Sequence, residues 1–113
     1  MPFINPKITV SVSDEKKDII KSRFGQALSI IGKPESFLMV GIDDEYTLYF
    51  AGNKMEKGAY VSVDILGSAN SPASAELTAE ICNILGEELG IPAGNIYVEY
   101  RSTPDWGWNG SNF

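Results

Sequence analysis

Hydrophobic and polar residues alternate at the start of the chain and then change to a helical spacing. Within Phe3–Val12 the apolar residues fall on alternate positions, which is the period of a strand with one buried face. Residues 14–31 carry apolar side chains at helical spacing, and Ser13 precedes them as a candidate N-cap. Gly32 and Pro34 then predict the end of this helix.

The same order of elements follows a second time. The predicted elements are strands over 37–42 and 47–50, a strand over Ala59–Leu66, a second helix, and a strand over 95–100. Ser71 is the candidate N-cap of the second helix, with Pro72 at its first helical position, and Gly90 and Pro92 end it.

This repetition predicts the fold class. The Gly-x-Pro signals at 32–34 and 90–92 are 58 positions apart, which divides one predicted domain over 1–113 into repeats of about 2–57 and 58–113. Two βαβ units make an α+β fold with a four-stranded sheet and both helices on one face. We expect the other face to be apolar, and therefore covered by further copies of the chain.

Charge and composition exclude several classes of function. A net charge of −6 argues against nucleic-acid or anionic-membrane partners, and no apolar segment is long enough to span a bilayer. With no histidine and one cysteine, Cys82, the usual zinc sites, His-based triads and internal disulfides are excluded. We expect Cys82 to be a small buried apolar residue. The N-terminal segment lacks the order of a secretory signal, which predicts a cytoplasmic protein and leaves non-conventional export open.

The remaining candidate for chemistry near neutral pH is the N-terminus. Removal of Met1 turns the nitrogen of Pro2 into a secondary amine, and an α-amine ordinarily titrates at about 7.7 to 8.0. Desolvation in an apolar pocket would lower the pKa of this amine toward neutrality and make it a general base. A proline in this position is also simply a tolerated second residue.

Four features of the sequence together resemble the macrophage migration inhibitory factor branch of the tautomerase superfamily. They are the Met1-Pro2 start, the Gly32-Lys33-Pro34 turn, the Ile96-Tyr97-Val98 strand and the C-terminal segment GWNGSNF over 107–113. The resemblance implies a homotrimer whose three sheets form a barrel, with one active site at each subunit boundary. It also implies a cofactor-free keto-enol tautomerase, without metal, that acts on phenylpyruvate-like aromatic keto acids with Pro2 as the catalytic base.

The resemblance assigns roles to further residues. Lys33 matches the lysine that holds the substrate carboxylate, and the backbone of Leu66 matches a residue that meets the substrate. Tyr97 matches a tyrosine contributed by a neighbouring subunit. For Lys33 the alternative is a solvated turn residue, and for Tyr97 it is packing in an interface.

The C-terminal aromatic residues are assigned to an apolar rim around this site. Trp106 is expected at the mouth of the site. For Trp108 and Phe113, packing of the C-terminal segment across a subunit boundary is the preferred alternative to direct contact with the substrate.

Glu99 is a departure from the pattern, because the mammalian member has an asparagine at this position. A carboxylate there would raise the pKa of the Pro2 amine and repel an anionic substrate, unless a cation such as Arg101 neutralises it. The mammalian Cys-x-x-Cys pair is also replaced, by Gly58-Ala59-Tyr60-Val61. Two other functions stay open: a secreted cytokine-like protein that binds a receptor and has vestigial tautomerase activity, and an enzyme with a different metabolic substrate.

Overall fold

A computed structural model of the chain describes residues 1–68 and 70–113. The elements, in chain order, are β1 (Pro2–Ile8), α1 (Asp14–Ala27), β2 (Met39–Val40), β3 (Tyr49–Phe50), β4 (Asn53–Lys54), β5 (Ala59–Leu66), α2 (Ser71–Leu89), β6 (Ile96–Thr103), β7 (Gly107–Trp108) and β8 (Ser111–Asn112). Short 3₁₀ turns at Leu28–Ile31, Glu35–Phe37 and Ala93–Asn95 lie between them.

The four-stranded sheet has the order β2-β1-β5-β6. β1 pairs with β2 in parallel and β5 pairs with β6 in parallel, while the central pair β1 and β5 is antiparallel. Each βαβ unit therefore contributes two neighbouring parallel strands, and the predicted α+β class with two βαβ repeats is confirmed. β3 with β4, and β7 with β8, form two separate hairpins.

Both helices cover the same face of the sheet. The alternate residues of β1 and β5 that point toward the helices are buried, whereas those between them are partly exposed. The buried core joins this face to the inner stripes of α1 and α2, and its largest members are Phe24, Ile4, Ile8, Ile20, Leu28, Leu77, Ile81, Ile84, Leu85 and Ile91. Cys82 is only partly buried and packs at the margin of this core.

The helix signals are mostly where the sequence predicts them. Ser13 caps α1 by accepting a hydrogen bond from the Lys16 backbone at 3.1 Å. Gly32 and Gly90 end the two helical segments with nearly identical left-handed backbones, φ 67° and 69°. The predicted cap of α2 is wrong by one residue, because the Asn70 side chain accepts from the Ala73 backbone at 3.0 Å and Ser71 is already helical.

Three predicted strands are shorter than expected, and the one predicted over 47–50 contains only β3, Tyr49–Phe50. β1 ends at Ile8 rather than Val12, because Ile8 pairs with Ala59, the first residue of β5, and no strand residue lies beyond it. The Val12 backbone instead donates to the Asp44 carboxylate at 2.9 Å. The predicted strand over 37–42 keeps only β2 in the ladder, although Gly41 still donates to a β1 carbonyl.

The described helices include none that is long and apolar enough to cross a membrane.

Candidate active site

The first residue of β1 lies at the end of the central strand pair. Pro2 is buried and stands opposite Ile65 of β5. The ladder continues one residue further, because the Leu66 backbone N–H donates to the Met1 carbonyl at 3.1 Å. The N-terminus is thus fixed by strand pairing and does not project freely into solvent.

Lys33 reaches this same end of the sheet from the turn that follows α1. The left-handed Gly32 reverses the chain, and the Lys33 backbone then donates to the Leu28 carbonyl at 3.1 Å. The Lys33 Nζ donates to the Leu66 carbonyl at 3.3 Å. Leu66 therefore contacts Met1 through its N–H and Lys33 through its carbonyl, so Leu66 and Lys33 lie at the same end of the sheet as Pro2.

The amine at this end of the chain is electrostatically perturbed. Burial is the larger cause and the charge of Lys33 the smaller one, and both lower the pKa of the Met1 amine below its ordinary value. The two effects act in the same direction because each disfavours the ammonium form.

A groove of about 890 Å³ opens beside Met1. Its size falls within the range of small-molecule sites in proteins, and most of its lining is apolar. The side chains that define its walls are Met1, Phe3, Phe37, Met39, Asp64, Arg101, Thr103, Trp106 and Trp108. Of the residues assigned from the sequence, Trp106 and Trp108 line this groove directly, and Pro2 adjoins it through Met1.

The C-terminal hairpin forms the aromatic side of the groove. β7 and β8 meet through a turn in which Asn109 and Gly110 both have positive φ, the conformation of a two-residue hairpin loop. Trp108 stacks on Phe113 at a centroid distance of 6.0 Å and contacts Phe37 edge-on at 5.9 Å. Trp108 and Phe113 remain more than half exposed, so this cluster is a surface rather than a core.

Tyr97 lies near the other end of the sheet. It stands opposite Tyr60 on β5. The β6 residue in the row of Pro2 and Ile65 is Ser102, and Tyr97 lies five positions before Ser102 along β6. At the rise of an extended strand this separation is about 17 Å. Tyr97 is 61% exposed and packs edge-on against Phe50. A single chain therefore does not bring Tyr97 to Pro2.

Glu99 lies between these two ends, and both of its carboxylate oxygens are occupied. The Tyr60 hydroxyl donates to one oxygen, and the Arg101 Nε donates to the other at 2.5 Å. The hydrogen bond and charge of Glu99 raise the pKa of the Arg101 guanidinium, with a smaller contribution from Asp64. Arg101 is thus the cation that pairs with Glu99.

The open face of the sheet differs from the apolar surface that the sequence predicts. Three rows of side chains cross this face. The first row contains Met39, Phe3, Asp64 and Arg101, and the second contains Gly41, Asn5, Ser62 and Glu99. The third row contains Lys7, Tyr60 and Tyr97. Charged and amide groups occupy the middle of the face, so the prediction of an apolar surface is wrong there. The polar groups satisfy one another, as when Lys7 donates to Asn5 at 2.7 Å.

The groove residue Asp64 has no role in the site assigned from the sequence, and Arg101 enters that assignment only as a cation that could neutralise Glu99. They belong to the same row as Phe3, which follows Pro2 directly. The alternation of β1 and β5 could have placed them, because residues of one register row share a face. What the sequence lacked was the register between strands that are far apart in the chain.

The architecture defines a class of protein in which two βαβ units make one mixed sheet and the chain's first strand opens onto an apolar groove. The chain is similar to the crystal structure of MIF2 from Leishmania major, with a TM-score of 0.93 and 36% identity over 100% of this chain and 97% of that chain. A homologue of macrophage migration inhibitory factor from Prochlorococcus marinus is similar with a TM-score of 0.88 and 29% identity, and the match covers 98% of each chain.

The sequence comparisons agree with the structural ones. Macrophage migration inhibitory factor from Xenopus laevis is 26% identical over 115 aligned residues, which cover 100% of this chain and 99% of that protein. The family model described as macrophage migration inhibitory factor (MIF) matches residues 1–113. The chain belongs to the macrophage migration inhibitory factor family of the tautomerase superfamily. This membership supports tautomerase activity as a general class of reaction.

Proposed function

We propose that the protein is a cofactor-free keto-enol tautomerase in which Pro2, exposed by removal of Met1, is the catalytic base. The observation that carries the proposal is the position of the N-terminus: Pro2 is buried, Met1 before it lines the apolar groove, and the charge of Lys33 acts on the amine there. Loss of Met1 leaves the nitrogen of Pro2 as a secondary amine at this place. It also frees the Leu66 backbone N–H, because this group donates to the Met1 carbonyl while Met1 is present.

The proton transfer follows from these groups. The neutral amine takes a proton from the enol hydroxyl or from the carbon next to the carbonyl, and the resulting ammonium returns it at the other position. Burial and Lys33 lower the pKa of the Met1 amine, and the same surroundings would favour the neutral form of a Pro2 amine one residue further along.

The substrate class follows from charge and shape. Lys33 offers a cation for a carboxylate, and the freed Leu66 N–H offers a donor beside it. Phe3, Trp106 and Trp108 give the groove aromatic walls that suit an aromatic ring. An aromatic α-keto acid such as phenylpyruvate carries both features, so we assign this substrate class.

The proposal includes a homotrimer with active sites at its subunit boundaries. Tyr97 cannot meet Pro2 within one chain, because about 17 Å of sheet separates their positions. Exposed apolar side chains occur at both ends of the sheet, with Met39 at 69% and Tyr97 at 61% exposure. Contact of one end with the other end of a second copy would cover these side chains and bring Tyr97 to Pro2 of that copy.

The experiment compares three forms of the protein: the native start with loss of Met1 verified by mass, the Pro2→Gly variant, and a form with one extra residue before Pro2. The last form keeps every side chain but replaces the amine with an amide, so it is a matched control. We expect the native form to ketonise the enol of phenylpyruvate at least about a hundredfold faster than the extended form. Equal rates in all three would refute the role of Pro2.

Analytical ultracentrifugation of the native form tests the assembly. We expect a sedimenting mass of three chains at micromolar concentration, and a monomer that retains full activity would contradict the shared site. A receptor-binding function would not need the amine, so binding that persists in the extended form would support the signalling alternative.

A further inference from the structure

Arg101 occupies a position that the proposed mechanism does not use. It stands in the register row of Phe3 and Asp64 and lines the same groove as Met1 and Trp106. Its Nε donates to the Glu99 carboxylate at 2.5 Å, and its side chain is 68% exposed. The contact with Glu99 does not use the two terminal nitrogens.

The charges around this residue are nearly balanced. Asp64 stands directly opposite Arg101 in the β5 and β6 register, and Glu99 is bonded to it. The site thus contains two carboxylates, and Lys33 and Arg101 are the cations that offset them. Without Arg101, the net charge of Asp64, Glu99 and Lys33 would be negative, and these groups would repel an anionic substrate.

We infer that Arg101 is a specificity-determining residue which admits anionic substrates by neutralising Glu99 and Asp64 at the groove. This inference rests on the proposed function, since it concerns the substrate of the same site. It does not place Arg101 on the reacting atoms. Tyr60 supports the arrangement, because its hydroxyl holds the second oxygen of Glu99 and keeps that carboxylate against Arg101.

The test compares a charged substrate with an uncharged one of the same shape. We would compare kcat/KM for the enol of phenylpyruvate with that for its methyl ester, which has the same shape and reacting atoms but no negative charge. The variants are Arg101→Gln, the conservative Arg101→Lys, and Arg101→Gln combined with Glu99→Gln. Lys21→Gln, on the exposed outer side of α1, removes the same charge at a distant place and serves as the control.

We expect Arg101→Gln to lower kcat/KM for the acid about tenfold while the value for the ester stays within about twofold. A unit charge roughly 8 Å from the substrate carboxylate accounts for an effect of this size. Arg101→Lys should keep most of the preference for the acid, and the added Glu99→Gln should restore it. Lys21→Gln should leave the ratio of acid to ester unchanged.

Equal losses for acid and ester would mean that Arg101 acts only on the structure of the site, and an unchanged ratio would mean that it has no role. Either result overturns the inference. If Arg101→Gln does not fold, Glu99→Gln alone gives the answer, since it should raise the ratio of acid to ester severalfold and an unchanged ratio overturns the inference. The proposed function is judged separately, by turnover of the native protein and its loss in the Pro2→Gly variant.

Discussion

Replacing Lys33 with glutamine would test the electrostatic part of the mechanism. The Lys33 Nζ lies 3.3 Å from the Leu66 carbonyl, and the Leu66 N–H is 3.1 Å from the Met1 carbonyl, which precedes the Pro2 nitrogen. These contacts place Lys33 near that nitrogen, and we take a separation of roughly 7 Å for the magnitude below. Glutamine keeps most of the side chain's length and can still donate to Leu66, but it removes the charge.

The size of the effect follows from Coulomb's law. At an effective dielectric of roughly 40, between protein surface and water, a unit charge roughly 7 Å away destabilises the ammonium by about 1 kcal/mol. This is about a fivefold change in the ratio of neutral to protonated amine at a given pH. Removal of Lys33 should therefore raise the pKa of the Pro2 amine and move the pH midpoint of activity upward.

The amine can be observed without a substrate. Protein labelled with ¹⁵N-proline contains six labelled prolines, of which only a free Pro2 has a titrating nitrogen. We would follow that resonance against pH in the native form and in Lys33→Gln. The same midpoint in both proteins would refute the argument that Lys33 acts on the base. A nitrogen that never titrates would show that Met1 is retained, and the whole enzymatic account would then fail.

Two further predictions concern the scaffold that holds the site. The Tyr100 hydroxyl donates to the Ser74 carbonyl at 2.8 Å and lies 2.8 Å from the Thr78 hydroxyl. Tyr100→Phe should therefore lower the free energy of unfolding by about 1 to 2 kcal/mol, measured by urea titration. An unchanged urea midpoint would contradict this prediction. A hydrogen bond from Lys16, and to a smaller extent one from Arg23, lowers the pKa of Glu88. The contribution of ionised Glu88 to stability is therefore present above the pKa of Glu88 in the unfolded state. It is lost as pH falls through the lower pKa of the folded state. The difference in melting temperature between the native protein and Glu88→Gln should therefore shrink from about pH 6 to about pH 3, and a constant difference would count against the pairing.

The local elements could be predicted because their signals are local. Ser13 caps α1 and the glycines at 32 and 90 end the helical segments through backbone conformations that other residues rarely adopt. The cap of α2 was misplaced by one residue because Asn70 and Ser71 are both good caps, and only the backbone decides between them. Val12 was misassigned to β1 because its apolar side chain is buried outside the ladder.

The site could be predicted only in part. The resemblance assigns Pro2, Lys33 and Leu66 to one site. The structure links Lys33 and Met1 through hydrogen bonds to the Leu66 backbone, and a pattern of side chains cannot predict backbone contacts of this kind. Asp64 and Arg101 were missed as groove residues because their position depends on the register of β5 with β1 and β6. A shift of one residue in either pairing would have turned them toward the helices.

The arrangement of the open face bears on why the site would be shared between subunits. Polar side chains fill the middle of this face and satisfy one another, so the middle can stay in contact with water. The apolar side chains lie at the two ends, with Met39 and Phe3 near Pro2 and with Phe50 and Tyr97 at the other end. Burial of apolar surface would therefore join unlike ends of neighbouring copies rather than stack two faces. In the proposed trimer, such a head-to-tail contact would close into a ring and would bring the aromatic end of one chain to the N-terminal amine of the next.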